Sequence, residues 1–140
     1  MNQLTALRSL VLLSLALGVV GAALDTVIPK LIPITVQNAY DAYAEADTRI
    51  LLPLLVGIFA IVIFVISVIA LVGLLLMKPW ARGISVWTTV LALATYPFFG
   101  PMVYSGWAAM LVEVSMMLWG AALAMCYFSD LRVHFGRNDR

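Results

Sequence analysis

The sequence predicts an all-α membrane protein, a single domain built as an antiparallel bundle of four transmembrane helices with both termini in the cytoplasm. Its 140 residues are 64% hydrophobic and 11% charged, against about half and about a quarter in a soluble domain. A soluble fold of this size leaves roughly a third of its unfolded-chain surface in water, so so apolar a chain has the bilayer as its solvent. Four apolar stretches approach the roughly 20 helical residues that cross a hydrocarbon core about 30 Å thick. Arg8, Lys78, Arg82, Arg132, Arg137 and Arg140 fall on one side of such a bundle and only Lys30 and Arg49 on the other. The side rich in Lys and Arg is the cytoplasmic one.

The first helix is expected at about 7–24, with Arg8 at its start and Ser9, Ser14, Gly18 and Gly21 as its small interruptions. Arg8, the apolar run after it and Gly21-Ala22-Ala23 also fit a secretory signal and its cleavage site, which would leave three helices; the segment is kept here as a helix. Residues 25–50 form the one real loop. It carries Pro29 and Pro33, then a stretch over 35–48 in which Val36, Ala39, Tyr40 and Tyr43 recur at helical spacing opposite Asp41, Glu45 and Asp47. That pattern predicts a short amphipathic helix at the membrane surface, or an extension of the second helix. Acidic residues outweigh the loop's two cations, as suits an extracytoplasmic segment.

The second helix, 51–77, contains no charge. Lys78-Pro79-Trp80-Ala81-Arg82 turns the chain into a third helix at 82–98. From 83 to 112 there is again no charge, and Pro97-Phe98-Phe99-Gly100-Pro101 divides that run, since two prolines and a glycine interrupt helical hydrogen bonding. The fourth helix follows at 102–128, and the short connection predicts a tight antiparallel hairpin of the last two helices. Trp80 and Tyr127 mark the inner boundary, and Tyr96, Tyr104 and Trp107 the outer one.

Several function classes are disfavoured. Net charge is +1, and the eight Lys and Arg are scattered, so no basic stripe tracks nucleic-acid phosphates. Cys126 stands alone, which excludes an internal disulfide framework, a CxxC pair and a thiolate cage. His134 is the single histidine and lies between tail arginines, where paired haem ligation is not expected. Met110, Met116, Met117 and Met125 read as adaptable packing rather than a soft-metal path. No HExxH or GxSxG motif occurs, and neither catalysis, a cofactor nor a metal is expected.

Glu113 is the residue hardest to reconcile with lipid. Counted from 102 it lies roughly 16 Å deep, near the midplane, where a charge costs about 2.5–3.5 kcal/mol on insertion scales. It should therefore face the bundle interior. Gly106, Ala109, Met110, Met117, Gly120 and Ala124 share its helical face, and small residues let neighbouring backbones approach. Ser14, Ser67, Thr88 and Thr89 are its expected companions at that depth. None is basic, so a neutral carboxyl donating a hydrogen bond to a hydroxyl or carbonyl is the expectation. Either Glu113 is a proton or cation site, or it fixes how the helices pack. The series Ser14, Gly18 and Ala22 is a second packing face, within the chain or between copies. Tyr40, Asp41, Tyr43, Glu45 and Asp47 form an acidic, aromatic external patch, an interfacial segment or a partner site.

Lys78-Pro79-Trp80-Ala81-Arg82 and Tyr127-Phe128-Ser129-Asp130-Leu131-Arg132 resemble helix-end segments of small bacterial inner-membrane proteins with four helices. The resemblance implies a multi-pass protein of the bacterial inner membrane and no activity. Length and an intramembrane glutamate are also similar to those of the small multidrug resistance transporters, but that family carries its glutamate in the first helix, where this chain has none. Claudin-like proteins share the layout, yet their extracellular Trp and paired cysteines are missing from 25–50. The expected function is a non-enzymatic accessory or interaction subunit, with the lipid bilayer and a membrane-protein partner or a second copy as its contacts. The alternative is a small proton- or cation-coupled transporter or channel centred on Glu113. A protein that binds a toxin in the membrane is a third reading, supported by size and location alone.

Overall fold

Where the sequence runs apolar without interruption the chain is helical, and it stops where proline or a run of turn residues intervenes. The computed structural model describes residues 3–46, 51–99, 102–130 and 135. Among these, α1 spans Gln3–Val27, α2 Ile34–Ala46, α3 Leu51–Leu75, α4 Pro79–Thr95 and α5 Gly106–Phe128, and no strand occurs. Three helices, over Gln3–Val27, Leu54–Leu75 and Gly106–Phe128, are long and apolar enough to cross a membrane. The expected third span is the exception: α4 has 17 residues.

The helix ends explain the differences from the expected boundaries. Pro97 has no N–H to donate and its ring crowds the carbonyl of residue 93, so α4 hands over to a 3-10 turn at Tyr96–Phe98. Residues 102–105 lie outside any helix, and α5 starts at Gly106, later than expected. Ser105 caps it, its Oγ accepting from the Ala108 N–H at 3.2 Å, which satisfies one of the orphan donors of a first turn. Lys78 N–H reaches the Gly73 carbonyl at 2.9 Å and Met77 N–H the Leu74 carbonyl at 3.1 Å. With Met77 at φ 57°, this is a Schellman ending whose left-handed position, usually glycine, is held by methionine. Pro79 then opens α4 at a first-turn position that needs no donor.

The four long helices alternate in direction. α1 and α5 lie antiparallel along their whole length: Gln3 Nε2 donates to Asp130 Oδ2 at 3.4 Å at one end, and Ser105 N–H donates to Asp25 Oδ2 at 2.8 Å at the other. α3 packs on α4 across the Met77–Lys78 turn. The expected tight hairpin of α4 and α5 is not formed, because these sequence neighbours touch only sparsely. Arg82 Nη1 meets the Cys126 carbonyl at 3.3 Å, and Trp119 Nε1 donates to Thr89 Oγ1 at 3.0 Å. The bundle is thus two close pairs, α1/α5 and α3/α4, resting loosely on each other.

Glycine sets the first pairing. A Cβ on Gly21 would lie 3.0 Å from Val112 Cγ2 and 3.2 Å from the Ala108 carbonyl, and one on Gly18 would lie 2.9 Å from Ser115 Oγ. The main buried cluster sits at the end that holds the start of α1, the α3–α4 turn and the end of α5. It comprises Leu7, Val11, Leu74, Ala81, Ala122, Cys126 and Phe135. Phe135 is fully buried, with the Arg82 guanidinium 4.8 Å from its ring centre and 5.6 Å from that of Tyr127, within the range of a cation–π contact. Elsewhere large apolar side chains face outward, among them Phe64, Trp87, Trp107 and Met117. A water-soluble monomer rarely exposes so continuous an apolar surface.

At the opposite end, Gln37 holds the turn before α2 by donating from Nε2 to the carbonyls of Pro29 and Ile32, both at 2.8 Å. The amphipathic pattern at 35–48 does give a helix, α2, but no residue described in it is buried, and Val36, Ala39, Tyr40 and Tyr43 are all exposed.

Candidate functional site

Between the two pairs lies a cavity of about 420 Å³ that draws on all four long helices. Ser14, Ser67, Thr88 and Thr89, predicted to share one depth, all line it. Each hydroxyl except that of Ser67 has a partner. Ser14 Oγ donates to the Ser115 carbonyl at 2.9 Å and Ser115 Oγ to the Ser14 carbonyl at 2.7 Å, a reciprocal pair that ties α1 to α5. Thr88 Oγ1 bonds the Ile84 and Ser85 carbonyls at 2.9 and 3.1 Å, and Thr89 Oγ1 donates to the Ser85 carbonyl at 2.8 Å while accepting from Trp119. Back-bonding to the preceding turn is how a helical hydroxyl satisfies itself away from water. Ser85 Oγ is buried with no hydrogen-bond partner. Phe64, Leu71, Ala92 and Leu93 complete an otherwise apolar wall.

Glu113 does not join this group. It is exposed on the outer face of α5 and is not among the residues that line the cavity. The expectation of an interior face is therefore corrected for Glu113, Gly106 and Gly120: all three are exposed, and a Cβ on either glycine would meet nothing within 4 Å. Met117 on the same face is 72% exposed. The physical reason lies two residues along. At 3.6 residues per turn, positions 113 and 115 point about 200° apart, so only one can face α1, and Ser115 fits over Gly18 with its hydroxyl matched to Ser14. Glu113 is also shallower than counted, two turns or about 10 Å from the start of α5, because residues 102–105 are not helical.

The second small-residue series divides as well. Ser14 and Gly18 pack on α5, whereas Ala22 is exposed at the rim of the cavity and its neighbour Gly21 is the buried residue. In the external patch, Tyr40 and Asp41 join Gln37, Met102 and Tyr104 around a second hollow of about 380 Å³. Tyr43 and Glu45 point to the exterior, and Asp47 lies outside the described residues.

Four contributors are visible only in the fold. Ser115 and Trp119 carry no charge that marks them out in sequence beside Glu113, although Ser115 stands at the angle that faces Ser14. Asp25, grouped with the loop, anchors the N-terminus of α5, where a carboxylate meets free N–H groups and the positive end of the helix dipole. Its Oδ1 is buried without a partner. Arg82, counted only as a boundary charge, is packed against Phe135 and Tyr127. Among the described residues no group of three or more His, Cys, Asp or Glu is placed to hold a metal ion. Comparison with protein-family models, curated proteins and solved structures finds no match to this chain.

Proposed function

We propose that this chain is a four-span, N-in/C-in protein of the bacterial inner membrane that acts as a non-enzymatic interaction subunit, meeting a membrane-protein partner or a second copy through the outward face of α5. The fourth span is α4 together with the 3-10 turn that continues it, about 30 Å at helical rises. Arg8, Lys78 and Arg82 share the end that holds the start of α1 and the end of α5, which supports a cytoplasmic assignment for that end. The acidic, exposed α2 then faces the other compartment and offers Tyr43 and Glu45 as a second contact surface.

The observation that carries the reading is Glu113. A carboxyl group pointing away from its own bundle, at a depth where lipid offers no hydrogen bond, requires a partner from outside the chain. Gly106 and Gly120, one heptad to either side and open, let another helix backbone come close. A partner helix supplying a hydroxyl, amide or cation opposite Glu113 satisfies both features. The cavity between the helix pairs lends no support to a transporter built round this residue, since Glu113 does not line it.

The test is purification from native membranes in mild detergent. A stable stoichiometric companion, or a dimer of the chain, is expected with the unaltered protein and with Glu113→Gln, and is expected to be lost with Gly120→Leu while helicity is unchanged. A chain that is monomeric and unaccompanied under those conditions rules the reading out. A pH-dependent flux in vesicles that vanishes with Glu113→Gln would favour the transporter instead.

A further inference from the structure

We infer that the cavity between the α1/α5 and α3/α4 pairs is a binding site for a single acyl chain of a bilayer lipid, admitted sideways from the membrane. This rests on the membrane reading above and not on the role given to Glu113. Three features of the site choose the occupant.

The first is its hydrogen-bonding state. A buried water needs two to four polar partners, and the donors along this wall are already engaged. Ser14, Thr88, Thr89 and Ser115 bond backbone carbonyls, and the Trp119 indole N–H bonds Thr89. Among the residues that line the cavity only Ser67 offers an unclaimed hydroxyl, since Ser85 does not line it. The wall that remains for an occupant is Phe64, Leu71, Ala92, Leu93 and the ring of Trp119, which favours hydrocarbon over water.

The second is the route of entry. Toward the start of α1 and the end of α5 the bundle is closed by Leu7, Val11, Leu74, Cys126 and the buried Phe135. Sideways it is open: Leu15 and Val19 of α1, Phe64 and Val68 of α3, and Leu93 and Met116 of α4 and α5 both line the cavity and are exposed at the outer surface. These are the seams where the pairs touch sparsely. An occupant enters from the lipid and not through the end closed by that cluster.

The third is size. At about 420 Å³ the space falls within the range of small-molecule pockets, about 300–1,000 Å³, and its walls come from four helices, so an extended chain can thread between the pairs and touch both. An acyl chain there would replace the side-chain packing that α4 and α5 do not supply to each other.

The experiment uses the full chain in phosphatidylcholine vesicles whose acyl chains carry bromine, a contact quencher of tryptophan. Two single-tryptophan proteins are compared: one keeps Trp119, at the cavity wall, and the other keeps Trp87, 68% exposed on the outer surface. Each remaining tryptophan is replaced by Phe. Both are expected to be quenched. Adding Ala92→Phe to fill the cavity is expected to lower quenching of Trp119 about twofold and leave Trp87 unchanged. Ser67→Leu serves as a second filling variant if Ala92→Phe loses helicity. Trp119 quenched by aqueous iodide instead of brominated lipid would overturn the inference in favour of a wet cavity, and so would quenching that neither filling variant alters. Loss of quenching at Trp87 as well would bring down the membrane reading with it, which separates the two failures.

Discussion

Along α1, helix α5 comes so near that a methyl group on Gly21 would lie 3.0 Å from Val112, and two serines exchange hydrogen bonds with each other's backbone. Along α4, the same helix stands off by the width of a cavity and is bridged midway by one bond from Trp119 to Thr89. Yet α4 and α5 are neighbours in sequence, while α1 and α5 are at opposite ends of the chain. A short connection brings two helices into the same region; it does not make their surfaces fit. In an apolar solvent no general hydrophobic gain pushes helices together, so close approach follows small residues and matched hydroxyls, which Gly18, Gly21, Ser14 and Ser115 provide.

The largest expected effect comes from breaking the close interface. Gly21→Leu forces a side chain into Val112 and the Ala108 carbonyl, and is expected to destabilise the bundle by about 3 kcal/mol, read as an earlier midpoint when unfolding in detergent is followed by circular dichroism. The same enlargement at the open position, Gly120→Leu, is expected to leave that midpoint within about 0.5 kcal/mol, whatever it does to partner binding. Equal losses at the two positions would mean that the pairing described here is wrong.

A finer comparison uses hydrogen bonds. Ser14→Ala and Ser115→Ala are each expected to cost about 0.6 kcal/mol and to be nearly additive in a double-mutant cycle, because each hydroxyl bonds the other residue's backbone carbonyl, which the alanine keeps. Trp119→Phe removes the bond at the middle of the loose interface, leaving that of Arg82 to the Cys126 carbonyl near its end, and is expected to cost about 0.6 kcal/mol, with no coupling to Ser14. The smallest net effect is expected at the α3–α4 turn: Met77→Gly relieves a left-handed backbone at φ 57° but gives up a half-buried side chain packed on the main buried cluster, and should leave the midpoint within about 0.5 kcal/mol. Met77→Ala loses the same packing and keeps the left-handed strain, so a Met77→Ala protein more stable than Met77→Gly would contradict the Schellman ending.

Much of this was legible beforehand. The charge-free run at 51–77 can hardly be anything but a long helix, and Pro97 marks where α4 yields to a 3-10 turn. Counting depth along three separate helices selected Ser14, Ser67, Thr88 and Thr89, which do line one cavity, because equal numbers of helical residues from a common boundary reach equal depth. Glu113 failed the same reasoning. The cost of a charge in lipid points to the bundle interior, but it names no angle around a helix, and in the fold Glu113 is exposed on α5. Ala22 and Gly21 show the related difficulty of angle: adjacent residues differ by about 100° around a helix, and either fits a stripe of small residues.

The amino-acid sequence alone determined that the chain is helical, apolar enough for long helices to cross a membrane, and divided at Lys78-Pro79 and at the run from Pro97 to Pro101. These are properties of local backbone chemistry and of solvation, which act on each segment without reference to the others. Which helices pair closely, which face of α5 turns inward and where a cavity is left between them were decided only in the tertiary structure. They depend on whether two surfaces match to within the thickness of a methyl group, and that is a property of neither surface by itself.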